Sequence, residues 1–118
     1  MRRGETWTAA AGGDDTGKPR PVVILQDDRC DATDSVTVCA FTTNSAEAPL
    51  FRVAVQPTER NGLDSPSSIM ADRIVTVRRR RVATYIGRLD DDDELRLNRA
   101  IAVFLGLAGS SRGRRRRS

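Results

Sequence analysis

The chain has 118 residues, of which 38% are apolar and 31% charged, and its net charge is +4. This length and composition fit one small domain, and no apolar run approaches the about 20 residues that a membrane-spanning helix needs. The N-terminal segment over residues 1–5 is basic, but the apolar segment of a signal peptide does not follow it. We therefore expect a cytoplasmic protein with no membrane association.

The positive charge is concentrated at the C-terminal end. Five of the 20 basic residues are arginines within residues 112–118, which leaves 15 basic and 16 acidic residues in the rest of the chain. Any binding of nucleic acid by this near-neutral part therefore depends on where individual arginines lie. Residues 110–118 are only Ser, Gly and Arg. We predict a folded domain over residues 1–109 and a disordered arginine-rich tail over residues 110–118.

The first half of the chain predicts three successive strands. Residues 4–9 favour a short strand with Trp7 as an anchor in the core, and residues 10–18 form a loop rich in Gly and Asp. The run Val22-Val23-Ile24-Leu25 is typical of a strand buried on both faces. Residues 36–43 are rich in β-branched side chains and predict a third strand, which follows the first two in a meander.

The second half predicts short strands and one helix. Strands are expected over residues 51–55, 68–71, 73–77 and 85–89, with an irregular stretch over residues 57–66. Asp91 and Glu94 have the spacing of a capping box at the start of a helix. Gly106 is expected to end this helix. Its apolar face is formed by Leu97, Ile101, Phe104 and Leu105. The pattern predicts a mainly β protein, a small β-barrel with a C-terminal α-helix.

The residue types limit the possible chemistry. The chain has no His, which excludes a Ser-His-Asp triad and any scheme based on a pair of histidines. It has no phosphate-binding glycine loop and no dinucleotide fingerprint. The acids Asp90 to Asp93 are better explained by the positive end of a helix dipole than by a metal ion. We therefore predict no metal and no cofactor.

The two cysteines, Cys30 and Cys39, are too few for a structural zinc site. Cys39 lies within an apolar strand and is expected to be buried. We expect both thiols to be reduced, although the sequence leaves a disulfide between them open.

One arrangement of an arginine and hydroxyl groups remains as a candidate site. Arg20 stands between two prolines at the start of the second strand, and Thr42 and Thr43 end the third. In a meander these two ends meet at one rim of the sheet. There an arginine can neutralise a phosphate and a hydroxyl can hydrogen bond its oxygen, while RNA supplies its own nucleophile, the 2′-hydroxyl. The alternative, which the residues alone favour, is that these are ordinary solvent-exposed and strand-end residues.

Six short motifs follow one another along the chain. The first three are Arg3-Gly4-Glu5-Thr6-Trp7, Gly17-Lys18-Pro19-Arg20-Pro21-Val22-Val23-Ile24, and Val36-Thr37-Val38-Cys39-Ala40-Phe41-Thr42-Thr43. The others are Asn61-Gly62-Leu63, Ile74-Val75-Thr76-Val77 and Ile86-Gly87-Arg88-Leu89. In this order and spacing they resemble the MazF/PemK toxin family, and the resemblance covers residues 3–107.

The resemblance implies an SH3-like β-barrel that forms a homodimer and acts as an mRNA interferase. Such an enzyme is a sequence-specific, metal-independent endoribonuclease that cuts single-stranded RNA and is neutralised by a cognate antitoxin. By position, Arg20 and Thr42 correspond to the catalytic pair of the family. Asp15, Thr43 and Lys18 are further candidates for catalysis or substrate binding.

Two other functions stay open. One is a toxin of the CcdB type, which inhibits DNA gyrase through its C-terminal residues and typically has a terminal Trp. This chain ends in arginines and Ser118, so we favour the ribonuclease. The other is a non-catalytic RNA-binding barrel, which the low aromatic content of 4% disfavours. The sequence also contains a basic run with two equally supported interpretations, contact with RNA phosphates or a solvated turn. It consists of Arg78, Arg79, Arg80 and Arg81.

Overall fold

The structure is a computed structural model, and it describes residues 1–10, 19–30, 32–43 and 51–107. These residues form six strands and one α-helix. They are β1 (Glu5–Ala9), β2 (Arg20–Ile24), β3 (Ser35–Thr42), β4 (Arg52–Val55), β5 (Ser67–Arg78), β6 (Val82–Arg88) and α1 (Asp91–Phe104). No helix in this described part is both long and apolar enough to cross a membrane.

All strand pairs are antiparallel and form one sheet in the order β4-β5-β3-β2-β1-β6. The predicted meander of β1, β2 and β3 is confirmed. Strands β5 and β6 stand far apart in this order, yet only the short 3-10 turn Arg79–Arg81 joins them. The start of β6 must therefore lie close to the end of β5, which requires a curled sheet. This agrees with the small β-barrel that the sequence predicts and that the family resemblance implies to be SH3-like.

Alternate side chains of β2 enter two apolar clusters on opposite faces of the sheet. Val22 and Ile24 belong to one cluster, while Val23 and Leu25 belong to the other. All four side chains are buried. This confirms the prediction of a strand buried on both faces and fixes the position at which Arg20 enters the sheet.

Trp7 is only half-buried and lies at the margin of a cluster, so its predicted place as a core anchor is only partly correct. Its indole N–H donates to Glu5 Oε1 at 2.9 Å, and its ring packs edge-on against Tyr85, with the ring centroids 5.6 Å apart. An aromatic ring with a polar edge is stable in this half-exposed position because its N–H keeps a partner.

The predicted break between two short strands over residues 68–77 is wrong, because β5 is continuous over 12 residues. Asp72, at the predicted break, stays in the strand because its carboxylate pairs with the guanidinium of Arg52 on β4. The pairing of β3 with β5 shifts register between Cys39 and Phe41, so β5 bends without ending. The last strand also begins earlier than predicted, at Val82.

The helix begins one residue earlier than the predicted capping box requires. Its N-cap residue is Asp90, whose side chain makes no capping hydrogen bond, so the Asp91–Glu94 box is wrong. Of the predicted apolar face, Leu97 is buried, but Phe104 and Leu105 are 40% and 51% exposed. Gly106 ends the helix at a φ of +78°, as predicted. The N–H of Leu107 bonds to the carbonyl of Ala102 and that of Gly106 to Val103, which is a Schellman motif.

The turn between β4 and β5 is held by the buried side chain of Asn61. Its Oδ1 accepts from the backbone N–H groups of Thr58 and Leu63, each at 3.0 Å, and its Nδ2 donates to the carbonyl of Gln56 at 2.9 Å. The backbone carbonyl of Asn61 also accepts from the Thr6 hydroxyl at 2.8 Å. A buried amide with these three hydrogen bonds holds the backbone of the turn, including Gln56, in one path.

Candidate active site

The start of β2 and the end of β3 lie side by side in the sheet. Val22 pairs with Ala40, and the same antiparallel register carried two residues further places Arg20 opposite Thr42. Arg20 is exposed, Thr42 is half-buried, and Thr43 follows directly and is exposed. The structure therefore brings together the arginine and the two hydroxyl residues that the sequence places at one rim.

These side chains line a cavity of about 130 Å³. Among the described residues, its lining consists of Arg20, Pro21, Phe41, Thr42, Thr43 and Ser67. Phe41 is buried and provides an apolar wall, whereas the three hydroxyl groups are donors and acceptors. Arg20 is the one charged side chain among these residues, so the cavity favours an anion with several oxygen atoms, such as a phosphate.

Ser67 is the lining residue that the sequence does not single out. It is the first residue of β5, and its hydroxyl donates to the carbonyl of Ser65 at 3.0 Å. This leaves the oxygen of Ser67 able to accept a hydrogen bond from a ligand. The only sequence signal is a hydroxyl-rich run after a turn, and the register of β5 against β3 is needed to place it beside Thr42.

The basic turn at residues 78–81 lies at the other end of β3. Arg78 pairs with Ser35, the first residue of β3, whereas Thr42 is the last. An eight-residue strand spans roughly 23 Å at about 3.3 Å per residue. The structure therefore does not bring this turn to the candidate cavity, and a role in RNA binding stays a prediction.

Arg79 has a structural role within this turn. Its backbone N–H donates to the carbonyl of Asp34 at 2.7 Å, and its Nε donates to the carbonyl of Thr33 at 2.9 Å. Arg78 and Arg80, by contrast, are exposed, and they line an open cavity of about 460 Å³ together with Arg79 and Asp34. Arg81, the last residue of the turn, is exposed as well. Contact of these arginines with RNA phosphates stays a prediction.

Asp15 and Lys18 lie outside the described residues, as does the tail over residues 110–118. Their predicted roles therefore stay predictions.

The acidic start of the helix is occupied by ion pairs with arginines. Arg60 lies 3.8 Å from Asp90 and 3.5 Å from Asp91, and Arg96 lies 3.2 Å from Asp93. Throughout the described ranges, no three His, Cys, Asp or Glu side chains form a group that could hold a metal ion. Asp91, Asp92 and Asp93 lie in the first turn of α1, where negative charge is favourable to the helix dipole.

Both cysteines are free thiols. Cys39 is buried in β3, and burial raises the pKa of its thiol from 9.0 to about 12. A thiol with so high a pKa stays protonated near neutral pH and is a poor nucleophile. Cys30 is exposed and lies in a short turn away from the candidate cavity. Neither cysteine offers an alternative catalytic centre.

Comparison with known proteins identifies the family of this chain. Residues 2–105 match the model of the PemK-like, MazF-like toxins of type II toxin–antitoxin systems. The chain is 54% identical over 109 residues to the probable endoribonuclease MazF of Mycolicibacterium smegmatis, a match that covers 92% of this chain and 100% of that protein.

Solved structures of toxins share the fold. One is the Mycobacterium tuberculosis toxin MazF-mt6, with a TM-score of 0.71, 28% identity and coverage of 87% of this chain and 99% of that chain. Another is a mycobacterial endoribonuclease in complex with its cognate antitoxin, with a TM-score of 0.72, 24% identity and coverage of 93% and 97%. With a family match over nearly the whole chain, this protein belongs to the PemK-like, MazF-like toxins of type II toxin–antitoxin systems.

Proposed function

We propose that this chain is a sequence-specific endoribonuclease that cuts single-stranded RNA without a metal ion and acts as a toxin. The observation that carries the proposal is the cavity in which Arg20 of β2 meets Thr42 of β3. Family membership and the 54% identity to a probable endoribonuclease support the same activity.

The reaction uses a nucleophile that belongs to the substrate. The 2′-oxygen of one ribose attacks the adjacent phosphorus, and a bond from oxygen to phosphorus forms as the bond to the 5′-oxygen of the next nucleotide breaks. The products are a 2′,3′-cyclic phosphate and a 5′-hydroxyl end. The 2′-hydroxyl gives up a proton, and the departing 5′-oxygen takes one.

In this scheme Arg20 neutralises the phosphate and stabilises the charge that accumulates on its oxygens in the transition state. The Thr42 hydroxyl donates a hydrogen bond to a non-bridging oxygen. Thr43 lines the same cavity and is a second hydroxyl donor. Asp15 and Lys18 remain candidates for catalysis or substrate binding.

The antitoxin is the partner that the comparisons support. The family consists of toxins of type II toxin–antitoxin systems. One similar solved structure is a complex with a cognate antitoxin. We propose that an acidic segment of this partner competes with RNA for the Arg20 rim, since both are anionic. A homodimer and a cytoplasmic location complete the proposal.

The family match ends at residue 105, close to the predicted domain boundary at residue 109. We propose that the arginine-rich tail over residues 110–118 adds sequence-independent attraction to RNA. Its removal is then expected to weaken RNA binding mainly at low salt and to leave the cleavage sequence unchanged. A shifted cleavage sequence in the truncated protein would contradict this role.

The proposal is tested with purified protein and a long single-stranded RNA in excess EDTA. We expect cuts at one short sequence, with 5′-hydroxyl and cyclic phosphate ends. Absence of cutting, with none restored by magnesium, would overturn the proposal. In that case an assay of DNA supercoiling by gyrase would test the CcdB-type alternative, which the named endoribonuclease relatives do not favour.

A further inference from the structure

A second cavity adjoins the candidate active site on the side of β4. Its volume is about 250 Å³, and it shares Thr42, Thr43 and Ser67 with the Arg20 cavity. The described residues that line the second cavity and not the first are Ala54, Gln56, Pro66 and Ser68. A strand of RNA with its phosphate at Arg20 and Thr42 would therefore have a neighbouring nucleotide beside Gln56.

Gln56 combines a fixed backbone with a side-chain amide that is available to a ligand. Its carbonyl accepts the hydrogen bond from the buried Asn61 side chain, which holds this position of the turn. Its own side-chain amide is exposed and makes no hydrogen bond to any residue in the described ranges. Since the backbone is held, only the side chain of Gln56 has to be ordered when its donor and acceptor groups contact a ligand.

The cavity on the other side of Arg20 has a different character. Its volume is about 220 Å³, and apart from Arg20 its described lining consists of apolar side chains. These are Ala9, Ala10, Val22, Val38, Ala40, Val75 and Val77. Apart from Arg20, the described side chains of this surface can contact a base but have no hydrogen-bonding group with which to distinguish one base from another. Hydrogen-bonded readout next to the Arg20–Thr42 pair is therefore possible on the Gln56 side.

We propose that Gln56 is a specificity-determining residue that hydrogen bonds the edge of the nucleobase next to the cleaved phosphodiester. A carboxamide presents one acceptor and two donor hydrogens, the complement of the donor and acceptor pattern on a base edge. Single-stranded RNA exposes these edges, since its bases can be turned out of the stack. Ser67, at the wall between the two cavities, positions the strand. This inference rests on the proposed ribonuclease function.

The test compares the wild type with Gln56→Ala and Gln56→Glu on an RNA library randomised around a mapped cut site. Gln56→Glu keeps the size of the side chain but replaces its donor with an acceptor. Thr84→Ala is the matched control, because Thr84 is an exposed polar residue on β6, at the opposite edge of the hydrogen-bonded sheet. Sequencing of the cut ends gives the base preference at each position, and melting temperatures show whether the variants fold.

We expect Gln56→Ala to reduce the preference at one position by about tenfold, the range for removal of a good hydrogen-bonded pairing with a base. Gln56→Glu should change which base is preferred there, and Thr84→Ala should keep the wild-type pattern. An unchanged preference at every position in both Gln56 variants would overturn the inference, as would a uniform loss of rate without a change of preference. A wild type that does not cut RNA would instead refute the ribonuclease function itself.

Discussion

Arg20 of β2 and Thr42 of β3 lie opposite each other across two antiparallel strands and line one cavity. The two residues are far apart in the sequence, but the strand pairing that places Val22 opposite Ala40 brings them close together in space. An arginine at the entry of one buried strand and a hydroxyl at the exit of the next are thus fixed by the core beneath them. This relationship connects the packing of the sheet to the chemistry at its rim.

The glycine at position 62 is expected to be essential to the fold. Its φ is +71°, and a Cβ added there would lie 2.0 Å from the backbone oxygen of Ile86. Gly106 has a similar φ of +78°, but no atom of the described residues lies within 4 Å of an added Cβ. Gly106→Ala should therefore cost only about 1–2 kcal/mol of backbone strain. Gly62→Ala should cost clearly more, because backbone must move. Urea unfolding of both variants measures this, and equal losses of unfolding free energy would contradict it.

The two thiols should differ sharply in reactivity. Cys30 is exposed, whereas Cys39 is buried and its pKa is raised to about 12. Iodoacetamide at pH 8 should label Cys30 in the native protein and Cys39 only after denaturation, with both sites read by mass spectrometry. Rapid labelling of native Cys39 would show that β3 is less protected than described.

The buried thiol of Cys39 is expected to make the protein less stable at alkaline pH. The raised pKa means that the folded state favours the neutral thiol more than the unfolded state does. The stability that this preference gives to the fold is complete below pH 9.0 and is lost as the pH rises from there towards about 12. Cys39→Ala should be less stable at pH 7 but should lose less stability between pH 8 and pH 10. Equal slopes for the wild type and this variant would contradict the burial argument.

The basic turn should affect RNA affinity without affecting the choice of cut site. Replacing both Arg78 and Arg80 with Ala should weaken RNA binding at low salt and reduce the slope of log affinity against log salt by about 0.7 for each RNA phosphate that is no longer neutralised. The cleavage sequence should not change, since this turn lies about one strand length from Arg20. An unchanged slope would instead identify a solvated turn, the alternative that the sequence leaves open.

The first three strands can be predicted because the residues that form them have a strong local preference for strands. β-branched runs over β2 and β3, separated by polar turns, predict both the strands and their order. The ends of β2 and β3 meet for the same reason, so the place of Arg20, Thr42 and Thr43 at one rim also follows from sequence.

The remainder depends on contacts between distant residues. In the sequence, the charged Asp72 suggests that a strand ends there. In the fold its carboxylate pairs with Arg52 of β4, which explains why β5 continues. Ser67 and Gln56 reach the rim through the pairing of β5 with β3 and β4, which no local pattern predicts. The family resemblance brings Arg20 and Thr42 forward as a pair, but it does not point to Gln56.

The most direct test of the catalytic assignment measures RNA cleavage in excess EDTA by the wild type, Arg20→Ala and Thr42→Ala. Arg73→Ala and Thr84→Ala are matched controls, since both residues are exposed and belong to neither cavity. We expect Arg20→Ala and Thr42→Ala each to lower kcat by about 100-fold or more, as for loss of a transition-state donor. The melting temperatures of these variants and the activity of the controls should be nearly unchanged. Folded Arg20→Ala or Thr42→Ala protein that cuts RNA at the wild-type rate would contradict the assignment of the site.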